Sequence, residues 1–444
     1  MTSSPPLRWD VLEEHLDEAA FLHAQWERAL RDPEYTLAEV VEGPEERLLA
    51  HLDGLVAGGR AAAERLLVPA LASDEGDVAF AAAWALLASE DGDCTGAVVA
   101  ALEKAEAGPA ASIGRAIALV PRADVFGPLA PLLANGPPPA QAAALEVLAL
   151  RRHDPGAHLA PLLRADDPAL RKAALRLARH VPARVHPQAL EQALRAEDPE
   201  ERALAIAAGL VLGSRAAWEA CAAAVRDGGP GWAFPALVWA LSGEPDLAPL
   251  LAGLEDDARR AGAIFALGFT GRVAAVDAVL PWLDDEELAK LAGEAISGIT
   301  GLVLEDELAA APKRWDPDAE EDEEEEPSGP EADLPAPAPA AVRAWWEGAR
   351  PRLDPAARYL GGKPWSAEAL LAALRDGPMR RREALALDLA VRTRGAAQLE
   401  TTGLARAQWE AVSALAARPP RLATTTYGAA PGHAPAAIPS RPVR

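Results

Sequence analysis

The chain could do chemistry through eight histidines, two cysteines and a large excess of carboxylates, but their spacing argues against most of it. His15 and His23 fall on one helical run. Eight residues is about 12 Å along a helix axis, too far to share a metal ion. His153, Asp154 and His158 sit together in a turn; the plain reading is surface histidines, the sharper one a titrating site. Cys94 and Cys221 each lie inside an apolar helical run, which reads as small buried side chains. No glycine-rich phosphate loop, CxxC, HExxH or GxSxG pattern occurs. The sequence therefore offers no catalytic residue, no metal ligand set and no cofactor site, and none is assigned.

The remaining candidates bind rather than react. Only 5% of the chain is aromatic, yet DGGPGWAFPALVWALSGEPDL carries Trp232, Phe234 and Trp239 within a glycine-rich repeat. Such a cluster fills core where a stack of helices changes pitch, or it anchors a partner, since tryptophan is enriched at interface hot spots. On the second view Trp218, Trp232, Trp239 and Trp282 are the candidate anchors. Arg380-Arg381-Arg382 opens a helix, where three positive charges oppose the helix dipole. Those arginines must meet acidic groups, either of the chain itself or of a partner.

The elements that position these residues come from a repeat. LRADDPALRKAALRLARHVPARVHPQALEQAL reads as helix, turn, helix. Apolar residues Leu170, Ala173, Ala174 and Leu177 share a face, and Asp167-Pro168 suits an N-cap with proline at the first helical position. The leucine or valine before each inter-repeat turn recurs at Leu71, Leu102, Leu133, Leu163, Leu194, Val225, Leu254 and Leu283, every 29 to 31 residues. A fixed period of this size signals stacked helical hairpins that share one core. Arg171, Arg202 and Arg260 recur early in the first helix, where each reaches back to turn aspartates. The expected fold is all-α: a right-handed α-solenoid of about eight hairpins with a small C-terminal helical module.

Residues 1–60 read as a helical cap, 61–311 as the solenoid, 312–340 as an acidic and Pro-Ala linker, 341–417 as a basic helical module and 418–444 as a disordered tail. The linker's run from Asp316 to Glu326 is nearly all acidic and stays solvated. The net charge is −24, but from Ala341 onward basic residues outnumber acidic ones two to one. The acidic solenoid repels nucleic acid. No apolar run is long enough for a membrane span, and the first residues lack a signal peptide's pattern. A cytoplasmic location is the default, with no nucleic acid, membrane or small-molecule partner expected.

DDPALRKAALRLA and LDDEELAKLAGEAISGITGL resemble the short HEAT-like repeats of the phycobilin-lyase type. That resemblance implies the fold and says little of activity. Deoxyhypusine hydroxylase, which carries such repeats, uses His-Glu dipeptides as iron ligands; this chain contains none. HLDEAAFL, YTLAEV, RLLAHLDGL, GFTGRVAAVDAVLPWL, RYLGGKP and RRREALALDLAVRT resemble an uncharacterised bacterial HEAT-repeat family often encoded near type VI secretion genes. That resemblance implies an accessory or adaptor role. The leading expectation is a non-enzymatic scaffold. A protein partner would lie along a concave surface lined by the second helices near 93–104, 124–134, 156–164, 185–195, 215–226, 245–254 and 273–283. The other reading is a lyase- or hydrolase-type enzyme with an unrecognised site.

Overall fold

A computed structural model describes residues 7–89, 94–122, 126–310 and 331–429. The chain opens with α1 (Trp9–Ala29), α2 (Leu37–Val40) and α3 (Glu46–Ala57). Leu12, Leu16, Ala19, Leu22 and Trp26 form the buried stripe of α1. Thr36 starts α2 with a reciprocal capping box to Glu39. A helical stretch with a left-handed glycine at Gly59 then leads into the repeats.

The first helices of the repeats are α4 (Gly76–Ala88), α6 (Ala107–Leu119), α8 (Pro138–Arg151), α10 (Pro168–Ala178), α12 (Pro199–Val211), α14 (Ala233–Ser242), α16 (Asp257–Thr270) and α18 (Ala289–Thr300). Between them run the second helices α5 (Cys94–Lys104), α7 (Phe126–Asn135), α9 (Leu159–Leu162), α11 (Pro187–Ala193), α13 (Arg215–Asp227), α15 (Ala248–Leu254) and α17 (Val273–Val279). Successive first helices pack directly on one another, while the second helices touch each other far less. The first helices thus form one layer, close-packed up to α12 and again from α14, and the second helices an outer one. All eight period-setting residues, from Leu71 to Leu283, are buried between the layers.

At each inter-repeat turn the caps are local. Asp167, Asp198 and Asp256 accept hydrogen bonds from the backbone two residues on, at 2.7, 2.8 and 3.0 Å. Pro168 and Pro199 take the first helical position. The recurring arginines do reach back, but mainly to carbonyls. Arg171 Nη1 donates to Ala165 and Asp166 at 2.8 and 2.9 Å, Arg202 Nη1 to Ala196 and Glu197 at 2.7 and 2.8 Å, and Arg260 Nε to Leu254 at 2.9 Å. Ala165, Asp166, Ala196 and Glu197 lie in the turns after α9 and α11, and Leu254 ends α15, so each guanidinium serves turn or helix-end carbonyls that need a donor. Arg171 also pairs with Glu201 of the next repeat at 2.8 Å, tying neighbours together.

The glycine-rich repeat interrupts the layer. α12 and α14 barely touch, and a later helix, α21 (Met379–Arg392), lies across both. That helix belongs to the C-terminal module with α19 (Pro339–Ala349), the pair β1 (Tyr359–Leu360) and β2 (Lys363–Pro364), α20 (Ala367–Asp376) and α22 (Ala405–Ala417). α19 covers the last hairpin: Trp346 Nε1 and Arg350 both bond Asp277, and Arg343 bonds Asp284.

Two expected boundaries are corrected. Residues 331–340, read as linker, are docked: Leu334 is buried, and Lys290 Nζ donates to Ala332 O at 2.6 Å. Residues 418–429, read as disordered tail, are placed against the array because Tyr427 is buried there. The acidic run 316–326 lies outside the described residues.

Eight hairpins at helix spacings of about 10 Å would set the ends of a straight stack roughly 80 Å apart. Here they meet. The Met379 N–H donates to Tyr35 O, in the N-terminal cap, at 2.8 Å. Its neighbour Arg380 lies 3.2 Å from Glu294, in the last first helix. Two successive residues of α21 hold both ends of the array, so the stack curls round the module.

Candidate binding site: the seam between array and module

The seam is built from arginines of the module and the carboxyl ends of the first helices. Helix C-termini present unpaired carbonyls with negative character, and guanidinium groups satisfy them. Arg392 Nη2 donates to Leu241 O and Ser242 O at 2.8 and 3.3 Å, at the end of α14. Arg358 Nε donates to Thr270 O at 3.1 Å, at the end of α16. The β1–β2 turn closes α16 and α18 with backbone alone: Tyr359 N–H to Gly271 O at 2.8 Å, and Gly361 and Gly362 N–H to Gly298 O and Ile299 O at 2.9 Å. Gly362 has φ +76, and a Cβ there would overlap the Thr300 carbonyl. Only glycine fits.

The arginine triplet splits three ways. Arg380 bonds Glu294 and Glu331, the latter at 2.6 Å. Arg381 donates to Gly268 O at 2.8 Å and lies 3.9 Å above the Phe269 ring. Arg382 turns into the module itself, donating to Leu374 O at 2.7 Å and to Gln408 at 2.5 Å. Burial pulls the Arg382 guanidinium down to about 10 and lowers Arg381 as well. The dipole clash at the start of α21 is offset by these partners within the chain.

Of the four tryptophans proposed as anchors, Trp218, Trp232 and Trp239 are buried and Trp282 is half-buried. Trp232 and Trp239 donate to Val225 O and Asp246 O, both at 2.9 Å, fixing the irregular repeat from within. Arg260 covers Trp282 at 4.7 Å. Trp218 stacks on Trp239 at 5.5 Å and meets the edge of Tyr427 at 6.1 Å. None of the four stands free in this structure: they pack against the chain's own core, module and tail, with Trp282 half-exposed under Arg260.

No family model matches the chain, and no curated protein does. Among solved structures, E. coli YibA is similar at 14% identity over 67% of this chain and 98% of its own, with a TM-score of 0.30. An engineered protein is similar at 18% identity over 90% and 93%, TM-score 0.25. Human deoxyhypusine hydroxylase in complex with glycerol is similar at 17% over 65% and 96%, TM-score 0.19. At such scores the likeness carries no argument, and the fold rests on the helices described above.

Sequence reasoning passed over the buried charges of the seam. Asp388, almost wholly buried, accepts from Arg392 Nε and Tyr427 OH, both at 2.6 Å. Burial, with Asp388 beside it, holds the Tyr427 phenol well above its ordinary range, so it stays a donor. Burial also pulls Arg358 down to about 10. At the other end Glu45, fully buried, accepts from Trp26 Nε1 at 3.1 Å and from the Ala405 and Arg406 N–H groups that open α22. One signal was present: in LALDLAV a lone aspartate interrupts an apolar run, with an arginine four residues on.

Several of the described histidines have partners within the chain. His23 bonds Asp77 at 2.6 Å and stacks on Phe80, while His15 and His51 face each other through Nδ1 at 3.1 Å. His153 stacks on Phe126, and Asp154 pairs with Arg184. Among the described residues no group of three or more His, Cys, Asp or Glu could hold a metal. Cys221 is buried, which pushes its thiol up.

Proposed function

We propose that the chain is a non-enzymatic protein-binding scaffold, an adaptor built on a right-handed HEAT-like superhelix. One observation carries the reading. The ends of the first helices α14, α16 and α18 grip a polypeptide through arginines and backbone bonds rather than framing a reaction centre. That surface is engaged by the chain's own module. The second helices, expected on a concave face, form the outer layer instead, and they are the surface left for a partner: each buries one stripe and exposes the other, as in Glu191 and Gln192 of α11 and Glu219 and Arg226 of α13. The resemblance to a family encoded near type VI secretion genes makes a component of such an apparatus the partner to test first, in a cytoplasmic setting.

The test is capture by the full chain, followed by carboxylate-reactive crosslinking. The expected result is one stoichiometric protein crosslinked along α5, α11 and α13. Crosslinks confined to the module, or a bound small molecule with no protein, would overturn the reading.

A further inference from the structure

Residues 423–428 lie between the array and α21 as a bound peptide would. Ala423 N–H donates to Arg392 O at 3.1 Å. Arg392 Nη1 returns bonds to Ala423 O and Thr425 O at 2.8 and 3.2 Å, and Arg215 Nη1 reaches Gly428 O at 3.4 Å. These are backbone contacts, indifferent to side chain. Specificity enters at one residue. The Tyr427 ring meets Trp218 edge-on and lies 5.1 Å from the Arg392 guanidinium, and its hydroxyl donates to Asp388. The next position is restricted too, since a Cβ on Gly428 would sit 2.7 Å from Trp218 Nε1.

The pocket and its occupant differ in how firmly they are held. Trp218 stands on α13 and Asp388 and Arg392 on α21, both regular helices, whereas Tyr427 lies in a terminal segment with no helix or strand. From Arg418 to Ala429, Tyr427 alone is buried. Beside the segment a small cleft of about 50 Å³ remains, lined by Ser214, Arg215, Arg394 and Thr426 among others. A terminal segment held by one buried side chain and a few backbone bonds opens at lower cost than the helices that form its socket.

We propose that Trp218, Asp388 and Arg392 form a recognition site for a Tyr-Gly pair in a turn at the end of an uncharged segment, filled here in cis by Tyr427. When the tail leaves, the site takes the same element from a partner protein. The chemistry sets the selectivity. A phenylalanine in place of the tyrosine leaves the buried Asp388 oxygen one donor short. A phosphotyrosine puts a dianion against that carboxylate and is refused. The tethered tail competes at high effective concentration, so the intact chain holds the site closed.

The test uses the full chain carrying Tyr427→Ala and the peptide acetyl-Ala-Thr-Thr-Thr-Tyr-Gly-Ala-amide, followed by calorimetry and tryptophan fluorescence. The expected result is one-to-one binding, weaker by about tenfold or more for the phenylalanine peptide, the size of one lost hydrogen bond to a charged group. The phosphotyrosine peptide does not bind, and the unsubstituted chain binds at least tenfold more weakly. Adding Asp388→Asn should erase the preference for tyrosine. Absence of binding, or equal binding of the tyrosine and phenylalanine peptides, overturns the proposal. If circular dichroism shows Tyr427→Ala unfolded, Tyr427→Phe replaces it, and failure of the tyrosine peptide to displace that tail also overturns it. Neither outcome touches the second-helix surface proposed above.

Discussion

The two edges of the array end their helices in opposite ways. Where a second helix passes to the next first helix, the caps come from close by: an aspartate two residues upstream, and an arginine five or six residues past the carbonyls it satisfies. Where a first helix passes to its second, the carbonyls of α14, α16 and α18 are satisfied from far away, by Arg392, Arg358 and the β1–β2 turn. Carbonyls that need a donor from outside their helix are involved at both edges. The difference is that one edge is closed by chemistry that repeats with the fold and the other by chemistry used once. The first edge tolerates loss of any single cap, since each serves one turn. The second concentrates several bonds on single side chains.

That contrast is easiest to break at Arg392. Arg392→Met strips the end of α14 and leaves Asp388 buried with Tyr427 alone. Chemical denaturation should show a loss of about 3–5 kcal/mol, as for other buried pairs broken on one side. A loss below 1 kcal/mol would end the claim that this edge depends on few residues.

The docking of α19 should be sensitive to acid. Arg350 first, and Trp346 after it, hold the Asp277 carboxyl below its ordinary value. A group whose folded-state pKa is lowered stabilises fully above the unfolded value, near 3.9, and loses that contribution as pH falls through the folded one. The prediction is that the Trp346 environment changes by fluorescence only below about pH 4, and that Asp277→Asn removes the step.

The local edge sharpens the comparison with smaller effects. Asp198→Ala removes one N-cap and should cost about 1 kcal/mol in the same denaturation assay. A cost equal to that of Arg392→Met would erase the distinction between edges. Smallest is Arg184→Ala. Its pair with Asp154 is about half exposed on both sides, and the stability change should stay within about 0.5 kcal/mol.

This division also explains what the sequence disclosed. Leu71 to Leu283, the aspartate caps and the prolines all repeat, so each instance reinforces the next, and each sits where the period puts it. Gly362, Glu45 and Asp388 occur once and act across tens to hundreds of residues; Glu45 caps a helix that begins 360 positions later. No pattern within a window reveals such a partner. The tryptophans were misplaced for a related reason. An aromatic cluster reads alike whether it faces a stranger or the far end of its own chain, and Tyr427 sits in a tail whose Pro, Ala and Thr content argues for disorder. The unbroken apolar run from Ala236 to Leu241 of α14 was a further local hint that a first helix is covered on both faces.

The shared turn at Met379 and Arg380 changes how the molecule comes apart. Stacked-repeat proteins usually melt from their tips inward, because a terminal unit has one neighbour instead of two. Clasping both tips to the same turn of α21 leaves no unit with a single neighbour. Loss of structure then has nowhere to begin cheaply, and the whole ring should cross one barrier together. Assembly bears the complementary burden: residues hundreds apart must find each other before either tip is secure, which makes for a slow folder.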